Sequence, residues 1–120
     1  MLRTTLCALA FSLASSSAHA LTLWSPSVSV TNVDNSLDCR IVNAGTAPIT
    51  VLFEIVDGDG AVVADDTFEV PAGGARGLNL ADTAEAGHCR FSGKFKRKAV
   101  RATIAVMDGF GRTISIAPAQ

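Results

Sequence analysis

Ile49-Thr50-Val51-Leu52-Phe53-Glu54-Ile55-Val56, followed at once by Asp57-Gly58-Asp59-Gly60, decides the fold of this chain. Ile49, Val51, Phe53 and Ile55 share one parity, with Thr50, Leu52, Glu54 and Val56 on the other. Period two is the signature of a strand. Because Leu52 and Val56 are also apolar, the strand is expected to be central, with both faces partly covered. Asp-Gly steps tolerate the positive φ of tight turns, so a hairpin leading to a short strand at 61–64 is predicted.

The same alternation recurs outward in both directions. Val28 and Val30 precede it, as do Leu37, Cys39 and Ile41. Phe68 and Val70 follow and run into the reversal Pro71-Ala72-Gly73-Gly74, after which Leu78 and Leu80 mark another short strand. Cys89, Phe91 and Phe95 lie opposite Arg90, Lys94 and Lys96. Val100, Ala102, Ile104 and Val106 alternate with Arg101, Thr103 and Met107. Asp108-Gly109-Phe110-Gly111 then turns the chain toward Ile114 and Ile116. Helical periodicity is scarce; residues 81–87 have room for one or two turns at most. Seven to nine short strands at this density predict an all-β, antiparallel sandwich.

The first twenty residues read differently. Arg3 gives a positive start, Leu6 to Ala14 is apolar apart from Ser12, and Ser15 to Ala20 is small and polar, ending Ala18-His19-Ala20. These are the three parts of a secretory signal peptide. A membrane-spanning helix needs about 20 apolar residues, and this run is far shorter. Residues 1–20 are therefore expected to be a cleaved signal peptide, taking Cys7 and His19 with them, and residues 21–120 a single domain, exported to the periplasm or secreted. A chain of 120 residues suits one domain.

What remains after cleavage holds two cysteines and one histidine. In an exported chain an even cysteine count reads as a disulfide, and only Cys39 with Cys89 can form it. Both share parity with core residues, so a bridge between facing sheets is expected; the alternative is two buried free thiols. Two Cys and one His fall short of a structural zinc site, and no cofactor is implied.

Cys39 on an early strand, Phe53 fourteen positions later, Cys89 late in the chain and a closing hairpin from Val100 to Ala117 together resemble the immunoglobulin-like and fibronectin type III-like sandwiches of exported bacterial proteins. The chain is also similar to small exported proteins that carry a Cys-Arg-Phe and Val-Arg-Ala run (here 89–91 and 100–102) and have no assigned activity. The resemblance implies Phe53 in place of the core Trp. Two features depart from it: the chain has no Tyr for a tyrosine corner, and Cys89 precedes the long penultimate strand. Such a fold implies no function by itself.

Charge provides the strongest asymmetry. Formal net charge is −1, yet Leu21 to Cys89 carries two basic and ten acidic residues, and Arg90 to Gln120 seven basic and one acidic. Arg90, Lys94, Lys96, Arg97, Lys98 and Arg101 are the candidate anion-binding surface, expected on a basic hairpin over 90–101 and facing an anionic polymer, a lipid surface or another exported protein. The competing expectation is that these cations protect a sheet edge and neutralise the acidic half of the same fold. Nucleic acid is not expected, because Phe91 and Phe95, the aromatics nearby, point inward by parity.

Asp57 and Asp59 form a weak calcium candidate; Ala61 stands where a third ligand belongs. No nucleophile elbow, zinc-protease motif, phosphate loop or dinucleotide fingerprint occurs. His88 is expected to face solvent, and Trp24 to pack over the edge of the core. The leading expectation is thus a non-catalytic exported module acting by surface contact. The alternative is a structural accessory or spacer with no discrete ligand; a small enzyme using His88 ranks below both.

Overall fold

The computed structural model describes residues 20–30, 32, 34–81 and 86–120. The expected signal peptide, with Cys7 and His19, lies outside the described residues apart from Ala20. Among the described residues nine strands run in chain order: β1 (Leu21–Trp24), β2 (Val28–Ser29), β3 (Ser36–Asn43), β4 (Ile49–Asp57), β5 (Val62–Val70), β6 (Ala75–Leu80), β7 (Ala86–Gly93), β8 (Val100–Met107) and β9 (Thr113–Pro118). One sheet has the order β1-β7-β4-β5, with β2 also beside β7; the other has the order β6-β3-β8-β9. Every pairing is antiparallel. The two sheets pack as a sandwich.

The parities named above point into the space between the sheets. Val51, Phe53 and Ile55 of β4 are buried against Leu37, Cys39 and Ile41 of β3, with Phe91, Ile104 and Val70 completing the centre. Phe53 meets Phe68 and Phe91 edge-on, with ring centroids 5.0 and 5.1 Å apart, the geometry that the aromatic quadrupole favours. Cys39 on β3 and Cys89 on β7 join the two sheets through a disulfide, their Cα atoms 5.8 Å apart.

Two hairpins use one turn chemistry. In 57–61 the Asp57 Oδ1 accepts from the N–H groups of Asp59 and Ala61. In 108–112 the Asp108 Oδ1 accepts from Phe110 and Arg112. Gly60 and Gly111 take φ of 85° and 77°, a conformation other side chains rarely adopt.

The expected strands at 61–64 and 68–70 are one continuous nine-residue strand, β5. It lies at a sheet edge, so the polar Asp65-Asp66-Thr67 interrupts nothing. Asp66 lies opposite the buried Phe53 and so carries a charge on the inward-facing parity of that edge, a known guard against edge-to-edge pairing. At the opposite edge of the same sheet, Trp24 and Gln120 exchange two backbone hydrogen bonds of 2.8 and 2.9 Å, lacing the chain's last residue to β1.

Candidate contact surface at the basic end

The segment 90–101 is not a hairpin. β7 and β8 belong to different sheets, so the chain between them arches across one end of the sandwich. Local sequence forces the arch. Phe95 turns into the core and is 5% exposed, anchoring the middle of the segment. A side chain at Gly93 would lie 2.5 Å from the Thr50 carbonyl, so only glycine fits there. A single 3-10 turn, Arg97–Ala99, follows, closed by the Ala99 N–H on the Lys96 carbonyl. The Ala44 N–H donates to the Ala99 carbonyl and ties the arch to the end of β3.

Lys94, Lys96, Arg97, Lys98 and Arg101 are all exposed on or beside this arch. Arg101 is held from behind, its Nη1 donating to the carbonyls of Lys98 and Val100 at 3.1 and 2.8 Å. None of the five makes an ion pair among the described residues, whereas Arg40, Arg90 and Arg112 do. The strand register also brings Arg76 to this end, because its neighbour Ala75 and Arg101 flank Val42 from either side. Its place in the sequence, among acidic residues, gave no hint of this.

One expectation for the cluster fails on position. β7 and β8 are interior strands, so these cations guard no sheet edge. For self-neutralisation the register offers Glu69, which lies opposite Thr50 at this end, while four other acids are remote. The acidic turns holding Asp34, Asp57, Asp59 and Asp108 lie at the far end of the strands. Eight residues of β8 span about 26 Å, well beyond the Debye length of about 8 Å at physiological salt.

Arg90 separates from the cluster. It makes a two-pronged ion pair with Glu54, at 2.8 and 2.7 Å, on the outer face of the β1-β7-β4-β5 sheet. Trp24 sits over its guanidinium at 5.1 Å and beside the His88 ring at 5.6 Å. Trp24 is therefore not a core lid; it is 47% exposed and shelters a charged pair. His88 is half-buried beneath it and makes no hydrogen bond to a carboxylate among the described residues, so it has no acid–base partner there. The Arg90 hydrogen bonds hold the Glu54 carboxyl below the usual carboxylate range and raise Arg90 in turn. A depressed carboxyl contributes stability above its unfolded pKa and loses it as pH falls through its folded value. Glu54→Gln is accordingly expected to cost about 1 kcal/mol at neutral pH and to flatten the acid limb of the stability profile, measured by urea unfolding at a series of pH values.

The Asp57–Asp59 candidate resolves into turn chemistry. Asp57 spends one oxygen on two backbone N–H groups, and the 108–112 turn makes the same bonds with Phe110 in the place of the second acid. Among the described residues no three His, Cys, Asp or Glu side chains gather to hold a metal.

The solved structure of Thermotoga maritima 1070 is similar to this chain, with a TM-score of 0.57 at 12% identity, covering 82% of this chain and 91% of that one. At that identity the likeness is one of fold alone, a distantly shared all-β sandwich. No protein-family model matches the chain, and no curated protein matches it.

Proposed function

We propose that this chain is an exported, non-catalytic module of immunoglobulin-like type that works by surface contact, meeting an anionic partner with the end that carries the 94–101 arch. The observation that supports it is the separation of charge. Five exposed cations stand together without an ion-pair partner among the described residues, while the acidic turns holding Asp34, Asp57, Asp59 and Asp108 lie at the opposite end. Such a field raises the encounter rate with an anionic surface and gives it an orientation. The signal-like 1–20 and the Cys39–Cys89 bridge support export, since disulfides persist in oxidising compartments. The bridge joins β3 of one sheet to β7 of the other, much as the immunoglobulin bridge pins two facing sheets.

Retention on immobilised heparin tests the reading. The exported protein, its mass corresponding to a start at Leu21, is expected to bind and to be released by salt. Lys94→Glu, Lys96→Glu and Lys98→Glu together are expected to abolish retention without lowering Tm, because all three side chains are exposed. Unchanged retention of the triple variant would overturn the reading. A wild-type protein that passes straight through would favour a spacer.

A further inference from the structure

A groove of 410 Å³ opens beside the arch, along the seam where β1 of one sheet meets β8 and the end of β9 in the other. Its floor is apolar: Leu23, Val100 and Ala102 are buried, and Ala119 is partly so. Arg97 and Arg101 line the same groove. Both are exposed and make no ion pair among the described residues. Arg101 is further fixed by its bonds to two backbone carbonyls, so little rotamer freedom is lost when a guest is bound.

An apolar floor bordered by guanidinium groups matches one class of guest, a short aliphatic chain ending in an anion. Planar guanidinium offers paired N–H donors to a carboxylate, while the chain covers the floor. The volume lies at the small end of ligand sites and leaves room for a single chain. We propose that this groove binds one single-chain aliphatic carboxylate, its head at Arg97 and Arg101 and its tail along Leu23, Ala102 and Ala119. The site rests on the contact reading above only in sharing those two arginines; the three lysines of the arch are not needed for it.

The chain's single Trp provides a reporter, because Trp24 is hydrogen-bonded to Gln120, which also lines the groove. Isothermal titration with decanoate below its micellar concentration, alongside Trp24 emission, is the test. Decanoate is expected to bind at one site and to shift the emission. Decanol and decyltrimethylammonium, which have the same tail, are expected to bind at least about tenfold more weakly, as is decanoate to Arg97→Ala/Arg101→Ala. Ala119→Phe, which fills the floor and leaves every charge in place, should also remove binding. Lys94→Gln/Lys96→Gln/Lys98→Gln, weakened on heparin, should lose far less decanoate affinity than Arg97→Ala/Arg101→Ala, since none of the three lysines lines the groove. Equal binding of decanol, binding that survives loss of both arginines, or no heat with decanoate would overturn the proposal. So would capture by anionic vesicles without binding of the monomer, which would place a membrane surface there instead.

Discussion

Exchanging Cys39 and Cys89 together for alanine is expected to lower the unfolding free energy by about 4 kcal/mol. The two positions are 50 residues apart, and closing a loop of that length removes that much chain entropy from the unfolded state. A domain of this size has only about 5–15 kcal/mol in total, so the bridge carries a large share. At about 4–8 °C per kcal/mol, Tm should fall by roughly 15–30 °C. Both sulfurs belong to residues with no exposed surface, so a reductant reaches them only when the sheets part. Reduction of the native protein should therefore be slow and follow the rate of opening, whereas in urea it should be immediate. Paired melts with and without reductant, with the double variant beside them, measure both effects. A loss below about 1 kcal/mol would show that the sheets hold together without the bridge.

The parts of this architecture that were legible in the sequence are those where a strand is buried on at least one face. β4 and β8 announced themselves because Val51, Phe53, Ile55, Ala102 and Ile104 alternate without interruption. The same parity sent Cys39 and Cys89 inward. The turns at 57–60 and 108–111 were legible because an aspartate before glycine can bond its own backbone. β5 was misread as two strands because the sheet edge exposes most of its residues between Val62 and Thr67 and erases the period there; that stretch is held by its ladder to β4, while Phe68 and Val70 pack on the core. The 90–101 segment was misread for another reason. Alternation on both sides of Lys94–Lys98 is the same whether the chain turns back within one sheet or arches to the other, and only the inward turn of Phe95 decides. The grouping of Arg90 with the lysines also followed from adjacency alone. Its partner Glu54 lies 36 positions away, a pairing that no local pattern reveals, and the shelter that Trp24 gives this pair is equally non-local. So the candidate surface was legible as a cluster of charge, while its composition depended on the register of the strands.

Asn43 is the residue on which the shape of that basic end depends, and Asn43→Ala is expected to cost about 3 kcal/mol. The side chain is fully buried. Its Nδ2 donates to the carbonyls of Ala47 and Val70 at 2.8 and 3.1 Å, and its Oδ1 accepts from the Gly45 N–H at 3.0 Å. Its own backbone pairs with Gly73 and Gly74, and its neighbour Ala44 holds Ala99 of the arch. One amide therefore fastens the 44–48 loop, the end of β5 and, through its backbone, the 71–74 reversal. Alanine would leave two carbonyls and one N–H without partners, and a buried unpaired polar group costs about 1–3 kcal/mol. Asn43→Asp sharpens the test, because the shape is kept while the donating amide becomes an oxygen facing two carbonyls. Burial and those carbonyls raise the carboxyl's pKa in the folded state, so it folds best when protonated. The Asn43→Asp protein should therefore lose stability as pH rises above the usual carboxylate range, opposite in sign to the Glu54 effect in the unaltered protein. Urea midpoints at pH 4 and pH 7 distinguish the two. If Asn43→Asp shows the same pH slope as wild type, the donor role of Nδ2 is wrong, and the arch must be positioned by Phe95 and the Ala44–Ala99 bond alone.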